Sequence, residues 1–131
     1  MARGIVVDTD LLIDYLRGKG DGTRVVRALI RERRLRLTAI TGFELRLGTD
    51  FHDRHEAIMA LFRSRTLPLD LHSSLYAGSI AGELRTSGTP IGFADCLQAG
   101  ICIRHELPLA TRNRKHFGRV EGLRLVDLDE I

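Results

Sequence analysis

Three carboxylates and one amide occupy positions where the sequence could support chemistry. Asp8 follows the β-branched run Ile5–Val7 and precedes an apolar helical stripe, so it marks the junction of a buried strand and a helix. In open α/β sheets, ligands bind in the crevice at the carboxyl ends of the strands, where such a junction lies. Glu44, Asp95 and Asn113 are the other three, and each is predicted near the start of a helix.

Each acid also has an ordinary structural explanation. Asp8 could serve only to cap the first helix, although Thr9 or Asp10 is the predicted cap. The segment Thr41–Glu44 matches a capping box, and the helix dipole would stabilise Asp95 in the first turn of its helix. Asp95 nevertheless has no basic residue one turn away, and buried charges are rarely left without a partner. A cation that does not belong to this helix would balance the charge of Asp95.

The order of the predicted elements, β-α-α-β-α-α-β-α-α-β-α-β, indicates an α/β fold with a mainly parallel sheet of about five strands flanked by helices. The predicted strands are Ile5–Val7, Leu35–Ile40, Thr66–Leu71, Pro108–Thr111 and Leu123–Leu128. The predicted helices include Thr23–Arg34, Phe43–Gly48, Phe51–Arg65, Ser73–Ser87 and Phe93–Leu107. Because parallel strands end at one edge of a sheet, we expect Asp8, Glu44 and Asn113 to share a rim. Asp95 joins them if the helix before it doubles back.

Three acids at one place repel one another, which raises one or more of their pKa values when no cation is bound. Hard oxygen ligands in a small cluster suit Mg²⁺ or Mn²⁺. Such an ion orients a water for attack on phosphorus and stabilises charge on the leaving oxygen. No Ser-His-Asp or Cys-His set stands in comparable positions. The sequence therefore predicts metal-assisted hydrolysis of a phosphodiester bond.

Length and composition predict a single domain over residues 1–131, because 131 residues at 44% apolar content can bury a core. Cys96 and Cys102 fall six residues apart in one predicted helix, about 9 Å along its axis, so we expect reduced thiols. The chain shows no secretory leader and no apolar run near the ~20 residues that span a bilayer, so we expect a cytoplasmic protein. The net charge of +3 is compatible with nucleic-acid binding without establishing it.

Four segments resemble the PIN-domain ribonucleases, specifically the VapC-type toxins of bacterial and archaeal toxin–antitoxin pairs: DTDLLIDYL, TGFELRLG, IGFADCLQAG and LATRNRKHFGRVEGLRLV. They follow the family's order and spacing and cover essentially the whole chain. The resemblance implies a three-layer α/β/α fold in which Asp8, Glu44 and Asp95 form the acidic metal-binding triad. Asn113 stands where the family has a fourth polar residue, often Asp. An amide there would hold a second metal less tightly, which leaves one-metal and two-metal chemistry open.

The resemblance also implies partners and substrate contacts. It implies an RNA substrate, a homodimer and a VapB-type antitoxin encoded alongside, whose tail covers the active site. Basic residues around Asn113 could seat RNA phosphates in a salt-dependent manner, or could be ordinary solvated loop charges: Arg112, Arg114 and Lys115. Thr9 is grouped with these candidate substrate contacts and is predicted to support Asp8 by hydrogen bonding.

Two alternative functions remain open. The chain could be a catalytically inactive PIN-like module that binds nucleic acid or protein, although a scaffold has no need to gather like charges. It could also be a haloacid-dehalogenase-type phosphohydrolase, since Asp8-Thr-Asp10 follows a strand, but Leu11-Leu12 stands where Gly-Thr normally follows. The predicted function is a Mg²⁺-dependent endoribonuclease, the toxin of a type II toxin–antitoxin pair.

Overall fold

Four short parallel strands form the centre of the protein. The computed structural model describes residues 3–131. The strands are β1 (Ile5–Val7), β2 (Leu35–Thr38), β3 (Thr66–Leu67) and β4 (Leu109–Ala110). β1 pairs with β2 and with β4, and β2 pairs with β3, so the order across the sheet is β3-β2-β1-β4. All four strands therefore end at the same edge of the sheet, which we call the carboxyl edge.

Helices make the connections, because parallel strands cannot be joined by tight turns. Within residues 3–131 the α-helices are α1 (Thr9–Arg17), α2 (Asp21–Arg31), α3 (Ala39–Leu47), α4 (Phe51–Phe62), α5 (Leu71–Thr86), α6 (Phe93–Arg104) and α7 (Arg114–Phe117). A 3-10 helix, Leu128–Glu130, follows. No helix in this range combines the length and the apolar character that a membrane crossing requires.

The sheet has a hydrophobic core on each face. Ile5 and Val7 pack into one core with side chains of α1, α2 and α4, whereas Val6 packs into the other with side chains of α5 and α6. This alternation follows from the pleat, which sends successive side chains to opposite faces. The arrangement confirms the predicted α/β fold and the three-layer order of helices, sheet and helices.

The prediction of a fifth strand over Leu123–Leu128 is wrong, because this segment does not form a continuous strand. Within the described chain, Leu125 forms a single parallel bridge to Leu109. The segment leaves the sheet because the Asp127 side chain accepts a hydrogen bond from the Asp129 amide at 3.0 Å and begins the 3-10 turn. The sheet therefore has four strands instead of about five.

The third strand is shorter than predicted. It covers Thr66–Leu67 rather than Thr66–Leu71, because Pro68 has no amide hydrogen to continue the ladder. Asp70 then caps α5 by accepting a hydrogen bond from the Ser73 amide at 2.8 Å. β3 lies at the edge of the sheet, where a proline is tolerated.

The chain doubles back between α5 and α6, as the position of Asp95 requires. A Cβ atom on Gly100 would lie 2.5 Å from the Ser73 carbonyl oxygen and 2.9 Å from the Ala77 Cβ. The end of α6 therefore packs on the beginning of α5, and the two helices are antiparallel. Cys96 and Cys102 are buried free thiols on α6, as predicted.

This close packing predicts opposite effects for two glycine substitutions. Gly100→Ala should lower the free energy of unfolding by about 1–3 kcal/mol, because the added methyl group overpacks the α5–α6 contact. Gly78→Ala, on an exposed face of α5 with nothing within 4 Å, should raise it by about 0.5–1 kcal/mol through helix propensity. Urea denaturation of both variants measures the difference. Equal shifts would contradict a tight contact at Gly100.

Candidate active site

Asp8 is fixed between two strands and a helix. Its amide donates to the Ala110 carbonyl at 2.9 Å, and its carboxylate accepts from the Thr9 amide at 2.9 Å and from the Thr111 hydroxyl at 2.7 Å. Asp8 is thus the N-cap of α1, and the prediction that Thr9 or Asp10 caps this helix is wrong. The cap falls on Asp8 because its backbone is still extended, with ψ at 154°.

Burial raises the pKa of Asp8 above its ordinary value. The hydrogen bonds from Thr111 and Thr9 oppose this rise, while repulsion from the carboxylates of Asp10 and Asp95 adds to it. Ionised Asp8 is therefore under electrostatic strain that a nearby cation would relieve.

Asp95 lies in the first turn of α6, within electrostatic reach of Asp8. Its side chain is 29% exposed, and burial raises the pKa of this carboxyl group. His116 opposes the rise, with its Nδ1 atom 3.7 Å from Asp95 Oδ2, and Asp10 adds repulsion. Asp10 is exposed on α1, and its charge acts on both carboxyl groups at the carboxyl edge.

Glu44 reaches the carboxyl edge by a different route from the one predicted. The N-cap of α3 is Thr38, whose hydroxyl accepts from the Thr41 amide at 3.2 Å, so the capping box of Thr41 and Glu44 is wrong. α3 begins immediately after β2, which places Glu44 in its second turn. There Glu44 Oε1 accepts a hydrogen bond from the Thr9 hydroxyl at 2.6 Å.

A buried chain of hydrogen bonds supports Glu44. Because a carboxylate accepts only, Thr9 must donate to Glu44 and accept in turn from Thr41 at 3.0 Å. Thr41 accepts from the Gln98 amide at 3.3 Å, and the Gln98 carbonyl accepts from the Thr38 hydroxyl. We call this chain the polar relay. It joins α1, α3 and α6 behind the site, and Gln98 is the polar residue on apolar α6 that could have revealed it.

Asn113 is linked to Asp8 and to Asp95 through neighbouring side chains. Its backbone amide donates to the Thr111 hydroxyl at 2.9 Å, and the same hydroxyl donates to the Asp8 carboxylate. Its side-chain nitrogen lies 3.1 Å from Nδ1 of His116, which contacts Asp95. Thr111 and His116 were not identified from the sequence, although Thr111 directly follows β4.

The side chains predicted to contact the substrate differ in whether they already form hydrogen bonds within the protein. Arg112 pairs with Asp14 at 2.5 Å and holds the pKa of that carboxyl below its usual range, and Arg114 donates to the Val126 carbonyl at 3.1 Å. Lys115 is exposed and makes no hydrogen bond or ion pair within residues 3–131. Thr9 is buried and bonded to Glu44, so it is placed to position the site rather than to touch a substrate.

The donor chemistry fits a hard divalent cation. In the described part of the chain, no group of three His, Cys, Asp or Glu side chains is arranged to hold a metal ion. Mg²⁺, however, usually binds through one or two carboxylates and keeps several waters. Asp8 and Asp95, which repel each other, supply such a pair, and Glu44 is positioned nearby through Thr9.

The raised pKa of Asp8 predicts a gain in stability when its charge is removed. Burial disfavours the ionised form of Asp8 in the folded protein. The stability that protonated Asp8 contributes is therefore present below the unfolded-state pKa and is lost as the pH rises through the folded-state pKa. In Asp8→Asn the side-chain oxygen still accepts from the Thr9 amide, and the new NH2 group donates to the Thr111 hydroxyl, which reverses that hydrogen bond. The substitution should raise the free energy of unfolding at pH 7. The gain should vanish below the ordinary aspartate pKa of 3.8. Urea denaturation in chelator across this pH range measures it.

Asp14→Asn is the matched control with the opposite sign. The pKa of Asp14 is lowered by its hydrogen bond to Arg112, so its contribution to stability exists above the unfolded pKa and is lost as pH falls. This variant should be less stable than the wild type at pH 7 and no different in strong acid. Destabilisation by Asp8→Asn at pH 7 would show that desolvation does not determine the pKa of the Asp8 carboxyl group.

Comparisons with known proteins all indicate the same family. The profile of the PIN domain matches residues 5–123. A tRNA(fMet)-specific endonuclease VapC from Salmonella typhimurium is 30% identical over 127 residues, covering 93% of this chain and 96% of that protein. A VapC ribonuclease from Sinorhizobium fredii is 31% identical over 137 residues, covering 94% of this chain and 96% of that protein.

Solved structures agree with the sequence comparisons. The crystal structure of DNA-bound VapBC from Salmonella typhimurium contains a chain with a TM-score of 0.80 and 29% identity, covering 97% of this chain and 99% of that one. The haloacid-dehalogenase alternative finds no support in these matches. The chain belongs to the PIN domain family, among the VapC-type ribonucleases.

Proposed function

We propose that the protein is a Mg²⁺-dependent endoribonuclease, the toxin of a type II toxin–antitoxin pair, inhibited by a VapB-type antitoxin. The observation that carries this proposal is the pair of partly buried carboxyl groups of Asp8 and Asp95. They repel each other at the carboxyl edge, and burial raises both pKa values. Clustered carboxylates of this kind cost stability, and binding a divalent cation is a function that would offset the cost.

Asp8, Asp95 and Glu44 are the proposed ligands. The Thr9 amide and the Thr111 hydroxyl hold the two oxygens of Asp8, and Thr9 fixes one oxygen of Glu44. When bound, Mg²⁺ or Mn²⁺ would orient a water for attack on phosphorus and stabilise charge on the leaving oxygen.

The amide of Asn113 completes the rim without adding charge. Thr111 holds the backbone of Asn113 and His116 contacts its side-chain nitrogen, and the side-chain amide can donate a hydrogen bond to a phosphate oxygen. Because Asn113 is neutral, the donor set favours one divalent ion over two. Lys115 is the proposed phosphate contact nearby, since Arg112 and Arg114 are already engaged.

Exposed apolar side chains support the proposed partners. Phe43 and Leu47 flank Glu44 on α3 and are 60% and 72% exposed, and Phe93 precedes Asp95 by two residues and is 82% exposed. These three residues would bind the apolar part of an antitoxin tail that covers the active site. Leu71 and Leu75 form a second exposed face on α5, which we assign to the homodimer. A cytoplasmic location follows from such an RNA substrate and antitoxin.

Metal dependence and carboxylate substitutions test the catalytic proposal. Wild-type protein should cleave RNA with Mg²⁺, stop in chelator and recover with Mg²⁺ or Mn²⁺. Asp95→Asn should lower the cleavage rate by about 10²–10³-fold, because one charged group that stabilises the transition state through the ion is lost. Gel assays of labelled RNA measure cleavage, and circular dichroism checks that the fold is retained.

Asp53→Asn is the matched control, since Asp53 is an exposed carboxylate on α4. It should cleave RNA at the wild-type rate. Mg²⁺ should raise the melting temperature of the wild type and of Asp53→Asn but not that of Asp95→Asn. Wild-type cleavage by Asp95→Asn would remove Asp95 from the mechanism. Metal-independent RNA binding without cleavage would favour the inactive binding module.

A further inference from the structure

A cleft at the opposite edge of the sheet, where the strands begin, is lined by four arginines. Its volume is about 550 Å³, and its remaining lining residues are apolar side chains and Ser64, with no acid among them. The arginines are Arg33, Arg36, Arg63 and Arg65. We call this feature the basic cleft.

The arginines gather because of where they stand relative to the strands. Arg33 precedes β2 and Arg36 lies within it, while Arg63 and Arg65 precede β3. Since β2 and β3 are parallel neighbours, residues near their starts lie side by side. The acid nearest in sequence, Glu32, pairs with Arg34 at 3.4 Å instead.

Two of the four guanidinium groups are held in place and two are free. Arg36 donates to the Arg65 carbonyl at 3.3 Å, and Arg65 donates to the Leu61 carbonyl at 3.1 Å. Arg33 and Arg63 are exposed and have no hydrogen-bond or ion-pair partner for their guanidinium groups within residues 3–131. The cleft therefore combines oriented charges with charges still available to a ligand.

The backbone of the cleft is in a conformation that glycine normally occupies. Arg33 has a φ of 58° and Ser64 a φ of 66°, each in the turn that follows a helix. Glycine is favoured at such positions because a Cβ atom is strained there. Glu106, with a φ of 54°, occupies the equivalent turn after α6. Arg33 thus places a charge in the cleft although its backbone conformation is strained for a residue with a Cβ atom.

We propose that the basic cleft binds the phosphate backbone of the RNA substrate at a second contact, remote from the cleaved bond. This inference rests on the proposed ribonuclease function. Arginine supplies all of the 20 basic residues except Lys19 and Lys115, and its planar fork binds phosphate oxygens in pairs. Four guanidinium groups lining one cleft suit a run of phosphates, as in an RNA backbone, better than a single anion.

The position of the cleft favours a folded RNA. A strand of three or four residues separates the two edges of the sheet by about 10–13 Å. That distance is comparable to the Debye length of about 8 Å at physiological salt, so salt screens part of the repulsion between the carboxylates and a phosphate in the cleft. An RNA hairpin carries enough phosphates to contact both edges at once, whereas an RNA of about four nucleotides carries enough for the basic cleft alone.

Binding measured by fluorescence anisotropy tests the cleft without requiring cleavage. The probes are a labelled RNA hairpin, a four-nucleotide RNA and a DNA duplex of matching length, each titrated in chelator at several salt concentrations. Arg63→Gln and Arg33→Gly are compared with Arg85→Gln, which removes one exposed charge from α5. Each cleft variant should bind the hairpin severalfold more weakly and reduce the salt slope by about one, as expected for one lost phosphate contact.

The controls separate binding from folding. Arg85→Gln should bind the hairpin and the short RNA like the wild type. The cleft variants should weaken the binding of both, because in chelator the carboxylates at the carboxyl edge repel phosphate and the basic cleft is the site left to the short RNA. Arg33→Gly relieves the strained backbone, so its melting temperature should hold or rise while its affinity falls. If Arg33 had only a structural role, the melting temperature and the hairpin affinity would change in the same direction.

Two results would overturn the proposal. One is an equal hairpin affinity for Arg63→Gln and Arg85→Gln. The other is a loss of affinity for the DNA duplex equal to the loss for the hairpin, which would mean a cleft that is not specific to RNA. Failure of the proposed function is seen separately, as absence of Mg²⁺-dependent cleavage by the wild type. Charge-dependent hairpin binding by a protein that does not cleave would still support the cleft.

Discussion

The common direction of the four strands is the constraint on which both edges of the molecule depend. Parallel pairing of β1 with β2 and β4 places Asp8 beside the end of β4, where Thr111 reaches its carboxylate. The same pairing places the starts of β2 and β3 together, and with them the arginines of the basic cleft. An antiparallel neighbour would exchange the two ends and separate each set. The charge separation between the edges is therefore a consequence of topology.

The site combines groups that are costly to bury with a polar relay that keeps them in place. Burial disfavours the charged forms of Asp8 and Asp95, so both acids lie in an environment that opposes their ionisation. Thr9 holds Glu44 beside them, and Thr41 and Gln98 complete the relay behind it. A buried network with its groups satisfied is rigid, which keeps Glu44 in position. At Asp8, stability and the proposed function oppose each other.

The sequence predicts the α/β class, the central strands and the strand-end position of Asp8, because hydrophobic periodicity is a local signal. It fails for the N-cap of α3. Thr38 and Thr41 are both good caps, and the choice depends on where pairing of β2 with β3 ends, at Thr38 and Leu67. The roles of Thr111 and Gln98 also depend on contacts between distant segments, which no local pattern contains. The acidic triad of Asp8, Glu44 and Asp95 remains a prediction, and the observed contact of Glu44 is with Thr9.

An acidic site faces a difficulty when its substrate is a polyanion. Asp8, Asp10 and Asp95 repel phosphate at the carboxyl edge until a cation is bound, so they give RNA no long-range attraction. Positive charge must then supply the attraction, and the proposed sources are Lys115 near the carboxylates and the arginines at the starts of the strands. At the starts of the strands, salt screens part of the repulsion from the carboxylates. Placing the residues proposed to attract the substrate apart from those proposed to cleave it lets a small domain with a net charge of +3 contain both.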